Sequence, residues 1–103
     1  ARMYKKDIAI AQVDHTVGRV TAAQAADELL NISGIDTSFV LFPDGERVIV
    51  SARSMGDTNV QVILEKLGGG GNAATAGAQV EGKSVEEVTR ALIRAIDQYF
   101  EDE

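Results

Sequence analysis

Hydrophobic and polar positions change rhythm several times along the chain, and each rhythm predicts a different element. Positions 7–13 (DIAIAQV) are apolar and partly alternating, which predicts a strand, and the polar stretch 14–19 (DHTVGR) follows as a loop. Thr21-Ala22-Ala23-Gln24 has the form of a capping box, after which Ala22, Ala25, Ala26, Leu29 and Leu30 recur at helical spacing. Gly34 lies just beyond, where a helix stop belongs. Positions 37–42 (TSFVLF) and 46–52 (ERVIVSA) are β-branched and apolar runs. Pro43-Asp44-Gly45 between them carries the residues of a tight turn, so the pair predicts a β-hairpin.

Asp57 or Thr58 is placed to cap a second helix, in which Val60, Ile63, Leu64 and Leu67 share one face. Four glycines, Gly68 to Gly71, end it, and a short strand is expected near positions 78–80. Ser84-Val85-Glu86-Glu87 is a second capping box, opening a helix with a stripe of Val85, Val88, Leu92, Ile96 and Tyr99. The tail at 101–103 is expected to be solvated and frayed. The order β-α-β-β-α-β-α predicts an α/β fold: a mixed β-sheet of about four to five strands with a hairpin, flanked by about three helices. With 103 residues and no linker, positions 1–103 are expected to form a single domain.

Charge narrows the partners. Ten Lys and Arg stand against 16 Asp and Glu, a formal charge of −6. A protein that grips long nucleic acid or anionic lipid by general electrostatics needs a basic face, and the sequence offers none. Any anion must therefore be held locally, and neither long nucleic acid nor direct membrane contact is expected. Positions 81–103 hold seven acids and three bases, so the terminal helix carries most of the net charge on an outer face. The absence of cysteine removes disulfides, Cys-ligated zinc and a thiol nucleophile together. A single histidine, His15, cannot make a His-rich metal site, and beside Asp14 it reads as a surface residue. Phe39, Phe42 and Phe100 read as core rather than as a base-stacking platform. No apolar run approaches a membrane span, and a start at Ala1 rather than Met is expected of a segment of something longer.

Two features could carry chemistry. One glycine suffices to cap a helix, and each further one costs about 1 kcal/mol of ordering relative to Ala. Four in a row must serve either close chain packing or a ligand pressed on exposed N–H groups, such as a phosphate in a concave nest. No Gly-Lys-Ser/Thr follows, and the glycines end a helix rather than open one, so the run is neither a Walker loop nor a dinucleotide fingerprint. The second feature is Ser51-Ala52-Arg53-Ser54 at the end of the hairpin. Alternation puts Ser51 and Arg53 on one face, where an Arg fork and a hydroxyl suit a phosphate, unless a surface carboxylate occupies the Arg.

At these residues the chain resembles a known family. Ile8-Ala9-Ile10-Ala11, Ala23-Gln24-Ala25-Ala26-Asp27, Ser38-Phe39-Val40, Ser51-Ala52-Arg53-Ser54, Asn59-Val60-Gln61-Val62-Ile63 and Gly68-Gly69-Gly70-Gly71 occur in the order seen in the DHH-associated domain of DHH phosphodiesterases. The pattern is most like the C-terminal end of the membrane-anchored bacterial cyclic-di-AMP phosphodiesterases and spans nearly the whole chain. The resemblance implies a nucleotide-binding domain that closes over a preceding DHH domain, where two manganese ions activate water. The parent reaction would be hydrolysis of cyclic di-AMP to pApA, in a bacterial signalling enzyme held at the membrane with this domain on the cytoplasmic side. The resemblance implies no cofactor and no catalytic residue within this segment, which alone would be inactive. Its implied substrate contacts are Ser51, Arg53 and Ser54, with Arg53 on a phosphate, then Gly69, Gly70 and Gly71 of the Gly-rich loop, and Asn72. Asn72 stands where the family usually has His, and an Asn cannot become cationic or act as an acid.

Three other readings compete. One is a DHH exonuclease acting on very short RNA, against which the segment 59–63 speaks. Another is a nucleic-acid-binding module like the C-terminal domain of alanyl-tRNA synthetase, which should show a basic stripe. The last is an interaction domain whose glycines serve packing alone.

Overall fold

The computed structural model describes residues 2–4, 7–16, 18–32 and 34–101, with the backbone alone for 2–4 and 19. Of the tail expected to be solvated and frayed, Glu101 is exposed but still the last residue of a helix, and 102–103 lie outside the described residues. The elements are β1 (Arg2–Tyr4), β2 (Ile8–Gln12), α1 (Arg19–Leu29), β3 (Thr37–Asp44), β4 (Arg47–Ser54), α2 (Val60–Glu65), β5 (Gly70–Gly71), β6 (Thr75–Glu81) and α3 (Val85–Glu101). One mixed sheet runs β1-β2-β3-β4-β6-β5, with β2 and β3 parallel and every other neighbouring pair antiparallel. The expected α/β architecture is present. The sheet has six strands rather than four to five because two short edge pieces, β1 and β5, are added to the long ones. Two glycines have the weakest strand propensity, so β5 carried no strand signal.

Alternation along the long strands sorts their side chains into two cores. Ile8, Ile10, Phe39, Leu41, Val48, Val50 and Ala52 pack under α2 and α3, against Val60, Ile63, Leu64, Val88, Leu92 and Ile96. Val40, Phe42 and Ile49 face the other way, onto Ala22 and Ala26 of α1. Phe39 and Phe42 are core as expected, and Phe100 is half-buried against the larger cluster.

Local chemistry shifts several boundaries. The hairpin turn is Gly45-Glu46, one pair beyond the expected Pro43-Asp44-Gly45, because Pro43 pairs with Val48 inside the strand. Proline is tolerated there since its missing N–H would face β2, whose last paired residue is Gln12 against Leu41. Helix α1 starts at Arg19, with Gly18 as an N-cap that makes no side-chain bond, so Thr21-Gln24 lies inside the helix and is no capping box. Helix α2 is capped by Asn59, whose side chain accepts from the Val62 N–H, rather than by Asp57 or Thr58. Tyr99 of α3 takes part as well: its hydroxyl accepts from the Asn59 N–H at 3.0 Å and donates to the Asp57 carbonyl at 3.4 Å.

The second capping box forms as expected: the Ser84 N–H donates to Glu87 Oε1 at 2.9 Å and the Glu87 N–H to Ser84 Oγ at 3.1 Å. The Ser84 backbone N–H, and then its hydroxyl, hold the Glu87 carboxyl below the ordinary value. A depressed folded-state value stabilises the helix above the ordinary carboxylate range and loses that contribution as pH falls through it. Ser84→Ala should cost about 1 kcal/mol, read as a Tm lower by about 4–8 °C. An unchanged melting curve would show that the box contributes nothing. Glu87→Gln should flatten the acid limb of the stability–pH curve.

Candidate functional site

Strand β4 is paired along its length with β3 on one edge and β6 on the other, which fixes the side each residue faces. Ser51 and Arg53 fall on the α1 side with Ile49, as alternation predicts, while Ala52 enters the opposite core. Residues opposite one another in register share a face. Ser51, Gly77 and Gly70 therefore form one row across β4, β6 and β5. Arg53 and Thr75 form the next row, with Asn72 beyond, its N–H on the Thr75 carbonyl at 2.7 Å.

Among the described residues nothing packs over this half of the sheet face. The core beneath α1 draws on β2, β3 and β4 and on no residue of β5 or β6. Thr75 and Gln79 are exposed and Gly77 is half-buried. A shallow depression of about 540 Å³ results, lined by Ile49, Val50, Ser51, Gly68, Gly69, Gly70, Gly77, Ala78 and Gln79.

The four glycines divide by role. Gly68 has φ +84°, and the Gly68 and Gly69 N–H groups reach back to the Glu65 and Leu64 carbonyls, a Schellman ending for α2. A Cβ on Gly69 would run into the Gly77 carbonyl oxygen and the Ala78 side chain. At Gly71, φ is +146° and a Cβ would meet the Thr75 carbonyl oxygen and the Ala76 Cα. Packing thus accounts for Gly69 and Gly71. Gly70 is different: it is exposed, a Cβ there would meet nothing within 4 Å, and its φ is unexceptional.

Arg53 is not free. Its Nε lies 3.2 Å from Asp27 Oδ1 on α1 and its Nη1 donates to the Ala52 carbonyl at 2.8 Å, with 17% of the side chain exposed. Nη2 takes part in neither bond, so its donors remain available. Ser54 is buried on the opposite face, its N–H on the Ala74 carbonyl and its hydroxyl accepting from the Gly56 N–H, and the structure does not bring it to Ser51 and Arg53. Asn72 is a turn residue. Its Oδ1 accepts from the Ala74 and Thr75 N–H groups, both at 2.9 Å, which closes the β5–β6 hairpin and leaves its NH₂ as the donor group.

Residues 5–102 match the family described as the DHHA1 domain. The chain belongs to the DHHA1 domain family. It is 45% identical over 97 residues to the cyclic-di-AMP phosphodiesterase PdeA of Listeria monocytogenes, covering 93% of this chain and 15% of that protein. It is 45% identical over 104 residues to the cyclic-di-AMP phosphodiesterase GdpP of Bacillus subtilis, covering 96% of this chain and 16% of that protein. This DHHA1 chain therefore spans only about a sixth of such relatives. An exopolyphosphatase-related protein from Bacteroides fragilis shares the fold, with TM-score 0.80 and 21% identity over 95% of this chain and 31% of that one. So does the C-Ala domain of Aquifex aeolicus alanyl-tRNA synthetase, with TM-score 0.68 and 16% identity over 84% of this chain and 88% of that one.

Two residues of the DHHA1 ledge escaped the reading of the residues. Asp27 had only the family-like segment around it, and no spacing announces a partner for Arg53 from another element. Gly77 did carry a signal, since glycine inside a strand marks a bulge or a close approach. A larger hollow of about 580 Å³ lies elsewhere, among Gln12, Val13, Asp14, His15, Pro43, Val85 and Glu86. There His15 Nδ1 sits 3.0 Å from Asp14 Oδ1, both side chains exposed, and this bond followed by the imidazole's charge holds the Asp14 carboxyl low. Among the described residues no three of His, Cys, Asp and Glu gather to hold a metal ion, so this donor set does not fit a metal centre.

Gly69 and Gly77, which meet where the end of α2 abuts β6, should respond differently to a methyl group. Gly69→Ala should lower stability by about 1–3 kcal/mol through the clash with the Gly77 carbonyl. Gly77→Ala, whose Cβ would approach only the Val50 carbonyl oxygen at 3.4 Å, should fold normally. Chemical denaturation of both variants checks this, and equal loss in the two would contradict the division of roles.

Proposed function

We propose that the chain is the substrate-holding domain of a cyclic-di-AMP phosphodiesterase whose product is pApA. Its relatives carry that activity in their names, at 45% identity over nearly all of this chain. The observation that carries the reading is the uncovered half of the sheet. There Arg53, Ser51 and the Gly77–Gly70 row share one side.

Each residue has a task in this reading. The unengaged Nη2 of Arg53 takes a phosphodiester oxygen, and the Ser51 hydroxyl adds a neutral donor beside it. Gly77 and Gly70, which lack side chains, leave a flat backbone floor that a nucleotide can approach closely. Asn72 offers its NH₂ at the rim while its oxygen holds the turn. Ser54 plays a supporting part from the other face, and Gly69 and Gly71 shape the floor rather than touch the ligand. The two manganese ions implied by the resemblance belong to a preceding DHH domain, held at the cytoplasmic side of a membrane-anchored protein. The described residues of this chain bind and orient. Among those residues no helix is long and apolar enough to cross a membrane.

The net charge of −6 favours a dinucleotide held at one point over a long polyanion, despite the fold shared with the C-Ala domain. Arg53→Ala tests the reading. Losing a charge-assisted phosphate contact should weaken cyclic di-AMP binding by about 1.5–3 kcal/mol, roughly 10- to 150-fold. The fold should persist, because Asp27 is left largely solvated. Calorimetry showing equal affinity for variant and parent overturns the assignment.

A further inference from the structure

The Asp27–Arg53 pair has a geometry that bears on which phosphate the ledge accepts, given the phosphate-binding reading of Arg53. Arg53 is tied at two points, Nε to Asp27 Oδ1 at 3.2 Å and Nη1 to the Ala52 carbonyl at 2.8 Å. A guanidinium is planar, so ties at two of its three nitrogens, on opposite edges, fix the orientation of the whole group and aim the remaining Nη2. The carboxylate also cancels the charge it aims. Asp27 comes from α1 and is 64% exposed, so its position is not explained by the core. An incoming anion therefore meets oriented N–H donors on a locally neutral pair.

That arrangement discriminates by ligand charge. A phosphodiester carries one negative charge near neutral pH, and a terminal phosphomonoester carries about 1.5–2. Hydrogen-bond donors serve both, but the Asp27 carboxylate repels a dianion about twice as strongly as a monoanion at the same distance. We propose that Asp27 is a positioning residue that sets specificity: it aims the Arg53 fork and, by neutralising it, makes the ledge favour a monoanionic phosphodiester over a dianionic terminal phosphate. The ledge thereby holds an internucleotide linkage and disfavours the terminal phosphate created when such a linkage is hydrolysed.

The two dinucleotides ApA and pApA differ only in that terminal phosphate and serve as probes, titrated into the 103-residue chain by NMR at fixed ionic strength. Asp27→Asn keeps an oxygen to accept from Nε and removes the charge. It should leave ApA affinity within about twofold and tighten pApA by roughly 3- to 10-fold. Asp27→Ala removes the tie as well, so ApA should weaken by roughly 3- to 10-fold, and the conservative Asn variant should recover it. A pApA-to-ApA affinity ratio that stays the same in Asp27→Asn overturns the specificity claim. Tighter binding of both ligands by Asp27→Ala overturns the positioning claim, since Asp27 would then be a counter-ion competing with the phosphate. Arg53→Ala separates this inference from the reading beneath it. If that variant binds both probes like the parent, or the parent binds neither at millimolar ligand, the phosphate-site reading fails. If Arg53→Ala weakens binding while both Asp27 variants behave as the parent, only the role of Asp27 is lost.

Discussion

Everything in the molecule's site depends on β4 being hydrogen-bonded on both edges. Its pairing with β3 and β6 leaves no freedom of register, because Val48, Val50 and Ala52 must all enter the core beneath α2 and α3. A slip by one residue would drive Arg53 into that core and turn Val50 out to the α1 side. A buried, unpaired guanidinium is costly enough to exclude the slipped state. The hydrophobic face of the strand thus fixes the direction of Ser51 and Arg53 without any interaction of their own.

The second constraint is unequal cover. Two helices, α2 and α3, shield one side of the sheet. On the other, α1 lies alone and its buried residues are the alanines Ala22 and Ala26, which draw it close over β3 but do not reach across β6. What remains open is a strip whose floor is backbone, because Gly77 and Gly70 face each other there. Gly69 and Gly71, at which a Cβ would strike β6, let β5 approach it closely, so the strip is flat as well as open. Arg53 sits where the covered and uncovered halves meet, held from the covered side by Asp27. Fold and site are linked at that contact.

Much of the fold was legible because its signals are local. The stripe on α3, the Ser84-Glu87 box and the two hairpin strands each follow from residues a few positions apart, and alternation alone placed Ser51 and Arg53 together. Boundaries were less legible where one residue can serve two roles. Pro43 reads as a turn residue but sits in a strand at a place where β2 has already ended. Thr21 and Gln24 match a cap by spacing, yet the chain had already turned helical at Arg19. The site was only half legible for the same reason. Packing and ligand binding both ask for glycine, and only the positions of Gly77, Ala76 and Ala78 separate Gly69 and Gly71 from Gly70. The Asp27–Arg53 pair joins α1 to β4 across 26 residues of chain, and no local pattern reports such a contact.

The central claim is that the ligand lies on the open half of the α1 side of the sheet. Backbone amide shifts of the isotopically labelled chain during titration with cyclic di-AMP test it most directly. The account predicts shifts at Ser51, Arg53, Gly70 and Gly77, with Ile63 and Val88 on the opposite core unmoved. Shifts concentrated instead around Asp14, His15 and Glu86, or along the acidic face of α3, would contradict it.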